Sequence, residues 1–121
     1  MMGKERALEV LDSAISRVKA DAAEALLYAG SEALTRFANN GIHQNVSEEN
    51  ALIHVRAILG RRQGAATTNR LDARSLARAA KAAIELARRS PEDPEFPGLP
   101  EPGDSPGIDC LDPAAAGCSP E

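Results

Sequence analysis

The tripeptide Asn39-Asn40-Gly41 limits the fold of this chain more than any other feature of its sequence. These residue types tolerate positive φ angles, which a tight hairpin turn requires. The segments on either side carry large apolar residues, namely Leu34, Phe37, Ile42 and Val46. The pattern predicts a β-hairpin with strands over residues 34–38 and 42–46.

Three further segments are typical of strands. Residues 25–29 form a short apolar run that ends at Gly30-Ser31, a turn signal. Residues 51–59 alternate, and the set Ile53, Val55, Ala57 and Leu59 is predicted to face the core. After a predicted turn at residues 48–50 and a predicted loop over residues 60–64, residues 65–68 complete a sheet of about five antiparallel strands.

One predicted amphipathic helix precedes these strands in the sequence, and a second follows them. Residues 4–19 have apolar positions at helical spacing, which predicts a buried face of Leu8, Leu11, Ile15 and Val18. The second helix is predicted to begin at its N-cap Asp72 and to end at Ser90-Pro91. Its predicted apolar face consists of Leu76, Ala80, Ala83, Ile84 and Ala87.

The composition changes sharply after Ser90. All 14 basic residues precede this point, together with 10 acidic ones, whereas residues 91–121 hold 8 acidic residues and all eight prolines. Such a segment cannot bury enough apolar surface to offset its ordering entropy. The sequence therefore predicts an α+β domain over residues 1–90, with two helices on one face of a single antiparallel sheet, and a disordered acidic tail or linker over residues 91–121.

Several classes of protein are disfavoured by the composition. No apolar run approaches the length of a membrane span, and the N-terminus has no signal-peptide core, so a cytoplasmic location is expected and a membrane partner is not. Aromatic residues for base stacking are nearly absent, and nucleic acid is not expected as a partner. Cys110 and Cys118 are interpreted as free thiols.

A search for catalytic motifs is largely negative. The sequence has no His-Glu pair, which excludes a His-Glu-x-x-His zinc helix, and it has no nucleophile elbow, phosphate-binding loop or dinucleotide fingerprint. His43 and His54 are predicted on different strands, where they could be neighbours, with Glu48, Glu49 or Asn45 as a third metal ligand. Two solvent-facing histidines explain the pattern more simply. The residues left as candidate peptide or partner contacts are Arg36, His43, Asn45, His54 and Arg56.

Four segments in unbroken order resemble the N-terminal domain of the TldD/PmbA (TldD/TldE) metallopeptidase family. They are Leu34-Thr-Arg-Phe-Ala-Asn-Asn-Gly-Ile-His-Gln-Asn45, the alternating strand through Val55-Arg56, Gly60-Arg-Arg-Gln-Gly-Ala-Ala-Thr-Thr-Asn69, and Leu71-Asp72 with the following Ala-rich helix and exit linker. The resemblance covers about residues 5–102. It implies a cytoplasmic peptidase that works as a homo- or heterodimer on unfolded or short peptides, with zinc on a His-Glu-x-x-x-His helix.

The chain departs from that pattern because the metal helix of the family lies in a C-terminal part that is missing here. We therefore expect no catalytic, cofactor-binding or metal-ligating residue and no stoichiometric zinc. The chain is interpreted as a truncated product, half of a split gene or a domain retained for assembly. On this hypothesis it holds a partner or peptide and is inactive alone.

Two alternatives remain open from the sequence. The first is a stand-alone interaction or regulatory module that uses its mildly basic body against an anionic partner, and salt-dependent binding to nucleic acid would favour it. The second is a metalloenzyme that uses His43 and His54 as ligands, which metal analysis of the purified protein would test.

Overall fold

The computed structural model describes residues 2–119 of the chain. The elements follow in the order α1 (Lys4–Ile15), β1 (Ala22–Ala38), β2 (Gly41–Leu59), β3 (Arg62–Thr68), α2 (Ala73–Arg89) and α3 (Pro113–Ala116). The three strands form one antiparallel sheet in the order β1-β2-β3. The predicted α+β class, with one antiparallel sheet, is confirmed.

The sheet has three long strands in the described part of the chain, where the sequence predicted about five shorter ones. The predicted turns at Gly30-Ser31 and at residues 48–50 both lie inside continuous strands, β1 and β2. Backbone hydrogen bonding between neighbouring strands does not depend on the side chain, so pairing overrides the local turn preference of these polar and small residues. The strand count was therefore wrong, while the positions of the strand residues were right.

The turns between strands are short. Asn39 and Asn40 have φ angles of 52° and 56°, the left-handed region that a type I′ hairpin turn requires, so the predicted hairpin is confirmed. Gly60, with a φ of 60°, begins the turn between β2 and β3. The predicted loop over residues 60–64 is too long, because β3 already starts at Arg62 and pairs with Leu59.

The register between β2 and β3 defines the two faces of the sheet. Val55 is paired with Ala66 and Ala57 with Gly64. Because side chains alternate along a strand, this set faces one side and the set with His54 and Arg56 faces the other. The predicted core positions Ile53, Val55 and Ala57 are fully buried. They belong to the same cluster of buried residues as the apolar faces of α1 and α2.

The buried face of α1 differs from the prediction. The predicted Val18 is buried just beyond the helix and the predicted Leu11 packs partly buried against the core, but Val10 and Ala14 are buried as well, whereas Leu8 and Ile15 are exposed. The helix also ends at Ile15, four residues earlier than predicted. The buried stripe is therefore rotated toward Val10 and Ala14 relative to the one that the larger residues suggested.

The second helix follows the prediction more closely. Its buried residues include Leu76, Ala80, Ala83 and Ala87, while the predicted Ile84 is half-buried. The helix approaches β3 so closely that a Cβ on Gly64 would lie 2.8 Å from the carbonyl carbon of Leu86, and nearer still to Ala83 O and Ala87 N. The absence of a side chain at Gly64 is therefore what permits this packing.

Asp72 caps α2, as predicted. Its Oδ1 accepts from the Ser75 backbone N–H at 3.0 Å, and its Oδ2 accepts from the Ser75 hydroxyl at 2.9 Å. These two hydrogen bonds, aided by the Arg70 cation, lower the pKa of Asp72 below its ordinary value of 3.8. The capping interaction is therefore strongest with the carboxylate ionised.

The lowered pKa of Asp72 predicts a pH-dependent contribution to stability. Because the folded pKa lies below the unfolded one, the contribution is fully present above the unfolded value of 3.8 and is lost as the pH falls through the folded value. An asparagine caps almost as well but does not titrate. Denaturation of wild type and Asp72→Asn between pH 7 and pH 3 should show a stability difference that shrinks with acidification. A constant difference over this range would contradict the assignment.

The chain divides into two compact units. The first comprises residues 2–31 and 49–99, and the second comprises residues 32–48 with residue 100 onward, as far as described. In the first unit, residues 90–94 are tied to the β2–β3 turn: Arg61 Nη1 donates to Pro94 O at 2.8 Å, and Asp93 N donates to Arg61 O at 3.0 Å.

None of the helices within residues 2–119 combines the length and hydropathy that a membrane crossing requires.

Candidate functional site

Arg56 lies on the face of the sheet opposite the buried core cluster and joins all three strands. Its Nη2 forms a 3.0 Å ion pair with Glu24 Oε1 on β1, and its Nη1 donates to Gln63 Oε1 on β3 at 3.3 Å. Its Nε is buried and has no hydrogen-bond partner within the described residues. Arg56 is thus held in place by two neighbours, and its unpartnered Nε is enclosed by the protein, while the rest of the side chain is half-buried.

His54 lies two residues before Arg56 on the same face of β2 and is half-buried. The prediction that His43 and His54 lie on different strands was wrong, because β2 is one continuous strand that contains both. No group of three or more histidine, cysteine or carboxylate side chains within residues 2–119 could hold a metal ion. The proposed third ligands Glu48 and Glu49 therefore do not complete a site with either histidine, whereas Asn45 as a third ligand stays a prediction.

Arg36, His43 and Asn45 lie in the second unit, on the part of the β1–β2 hairpin formed by residues 32–48, which we call the ribbon. All three side chains are exposed. Asn45 Oδ1 accepts a hydrogen bond from the Thr35 hydroxyl at 3.1 Å across the two strands. The five candidate contacts are thus divided between the two units: three on the ribbon and two, His54 and Arg56, on the sheet of the first unit.

The ribbon also exposes large apolar side chains. Phe37 is 78% exposed, and Leu34 and Ile42 are each about half exposed. These residues are among the large apolar ones that flank the hairpin turn in the sequence. Within this unit the described strands are two, so the ribbon has no third strand or long helix to cover its faces. Apolar side chains left in this way are typical of an interaction surface.

The two side chains that bond to Arg56 could not be identified from the sequence. Glu24 and Gln63 orient Arg56. Glu24 lies in no motif, and Gln63 lies within the segment of residues 60–69 with no role suggested by it. Only the register of the three strands brings them together. The alternation of residues 51–59 identifies the face of Arg56, and this is the signal that points toward its environment. The strand opposite each position cannot be read from that alternation.

The first domain of the PmbA/TldA metallopeptidases matches residues 23–87 as a family model. This range covers more than half of the chain and runs from β1 to the last turn of α2. The chain belongs to this family. The matched range includes most of the sheet and of the second helix. No curated protein matches the sequence.

Solved structures support the same fold. TldE from Thermococcus kodakarensis superposes with a TM-score of 0.76 at 20% identity, over 94% of this chain and 25% of that one. A Bacteroides thetaiotaomicron protein named for modulation of DNA gyrase superposes with a TM-score of 0.71 at 24% identity, over 99% of this chain and 28% of that one. The PmbA/TldD chain described here thus spans about a quarter of the length of these relatives.

A metallopeptidase family implies a catalytic metal, and the residues of this chain do not fit one. The sequence contains no His-Glu pair, and the part of the chain that the structure describes holds no cluster of three potential ligands. Zinc in proteins is bound by three or four such side chains converging on one point. No step of peptide hydrolysis is therefore assigned to these residues, and the absence of stoichiometric zinc stays a prediction.

Proposed function

We propose that this chain supplies a non-catalytic domain to a PmbA/TldD-type metallopeptidase and that its ribbon binds a partner subunit of the same family. The observation that carries this proposal is the exposure of Leu34, Phe37 and Ile42 on a two-stranded ribbon. Hydrolysis of unfolded or short peptides requires a domain that provides the metal ligands. The partner is expected to be a second copy or a related subunit.

The energetics of the ribbon favour burial against another chain. Fully burying a large aliphatic or aromatic side chain contributes about 1.5–3 kcal/mol. An isolated two-stranded hairpin is only marginally stable in water. Phe37 is the most exposed of the three, and exposed aromatic side chains are enriched in interfaces. Leu34 lies three positions earlier on β1 and therefore faces the other side of the ribbon.

Peptide binding is the second part of the proposal. The strand order places β3 at an edge of the sheet, and its outer backbone groups are available for an added strand. An extended peptide would gain main-chain hydrogen bonds there, as in other examples of β-strand addition. From Gly64 to Thr68 the side chains of β3 are small, which suits a site with little sequence selectivity.

Replacing Phe37 with glutamate is expected to weaken self-association at least about tenfold, because a charge within an apolar contact must be desolvated. Sedimentation velocity over a range of protein concentrations measures this change. The matched control is Leu8→Glu, which introduces the same acid at an apolar residue that is about half exposed on α1. Equal behaviour of the two variants, or a wild type that neither self-associates nor retains an unfolded peptide, would contradict the proposal.

A further inference from the structure

A basic cleft lies in the first unit, between the segment that follows α1 and the outer surface of α2. Its volume is about 450 Å³. Arg17 and Lys19 line it from the α1 side, and Lys81, Ile84, Glu85 and Arg88 line it from α2. Spacings of three and four residues put the α2 members on one stripe of the helix, away from its buried alanines.

Four cations and one carboxylate give the cleft a formal charge of +3. Within residues 2–119, Arg17, Lys19 and Arg88 form no ion pair with a carboxylate. Lys81 Nζ lies 3.9 Å from Glu85 Oε1, which is a long distance for an ion pair, and 79% of the Lys81 side chain is exposed. Exposed pairs of this kind contribute little, so the positive charge of Lys81 remains available to a ligand.

Arg17 is the preorganised member of this set. Its Nη1 donates to the Ser13 hydroxyl at 2.6 Å and also contacts the Ser13 carbonyl oxygen, four residues back along the chain. Both acceptors are uncharged, so they fix the guanidinium without neutralising it. A fixed guanidinium binds a carboxylate with less loss of side-chain entropy than a free one.

We propose that this cleft binds acidic segments of peptides. This site is proposed in addition to the ribbon and the β3 edge, and it shares no residue with either. A peptide is favoured over a nucleic acid by two features. The cleft has no aromatic side chain on which a base could stack, and Ile84 offers an apolar contact for an aliphatic side chain. Glu85 can in turn accept a backbone N–H of the peptide.

The test uses the full chain and a fluorescein-labelled dodecapeptide of alternating glutamate and alanine. Replacing both Lys81 and Arg88 with glutamine is expected to weaken binding about tenfold by fluorescence anisotropy. The matched control replaces Arg74 and Arg89 with glutamine, which removes the same charge from the same helix outside the cleft. This control should change the affinity by less than about twofold.

A titration of ¹⁵N-labelled protein with the same peptide locates the contact directly. Shifts concentrated in residues 16–19 and 77–88 support the site. The proposal is overturned by equal losses in the two double variants, by equal binding of a peptide with glutamine in place of glutamate, or by tighter binding of a thymidine dodecanucleotide. Absence of binding by the wild type up to about 1 mM peptide would overturn it as well.

Discussion

Replacing Gly64 with valine is expected to lower the free energy of unfolding by about 3 kcal/mol, the upper end of the usual cost of overpacking. A Cβ at this position would meet backbone atoms of α2, including the carbonyl carbon of Leu86 at 2.8 Å. Backbone on a helix cannot turn aside as a flexible side chain can, so the helix must move away from the sheet. Separation of these elements would loosen the main buried cluster, to which both belong.

The effect should be large relative to the whole stability of the chain, since small domains unfold with about 5–15 kcal/mol. Chemical denaturation followed by circular dichroism measures it. Gly30→Val is the matched control, because Gly30 also lies in a strand and a Cβ there would have no atom within 4 Å. Valine suits an exposed strand, so this control should retain or slightly raise stability. Similar losses in both variants would show that the contact between Gly64 and α2 does not limit the packing.

The second helix and the hairpin turn could be predicted because their signals are local. Asp72 caps through its neighbour Ser75, and Asn39 and Asn40 supply the positive φ angles of the turn themselves. Each of these residues fulfils its role with partners a few positions away. The composition change after Ser90 is also local, and α2 ends there. Local chemistry therefore accounts for the parts of the fold that the sequence predicts well.

The errors arise where the outcome depends on a distant partner. Gly30-Ser31 has the composition of a turn, but pairing with β2 keeps it within a strand. In α1 the larger Leu8 and Ile15 suggested a buried stripe, whereas the cluster that includes alanines of α2 contains Val10 and Ala14. Helical periodicity predicts the spacing of the buried residues more reliably than it predicts which side of the helix they occupy.

The candidate site shows the same difference between features set by local residues and features set by distant partners. Exposure of Arg36, His43 and Asn45 follows from their polarity, and it agrees with the structure. The environment of Arg56 required the register of three strands, because Glu24 and Gln63 come from different elements. The basic cleft required the packing of α1 and α2, since Arg17 and Lys81 are far apart in the sequence. Sites assembled from separate elements therefore leave no motif in the sequence that would reveal them.

Replacing Ile53 with alanine is expected to lower the free energy of unfolding by about 2–5 kcal/mol, because the side chain is fully buried and its loss leaves a cavity. The matched control is Ile42→Ala, which removes the same atoms from the same strand at a position that is 53% exposed. That change should cost less than about 1 kcal/mol. Urea denaturation measures both variants, and an unchanged slope with denaturant would show that the folded and unfolded states keep their exposed areas. Since the two substitutions are chemically identical, the difference between them isolates burial. Equal costs would mean that the face of β2 with Ile53 and Val55 does not form the core, and the assignment of His54 and Arg56 to the opposite face would fail with it.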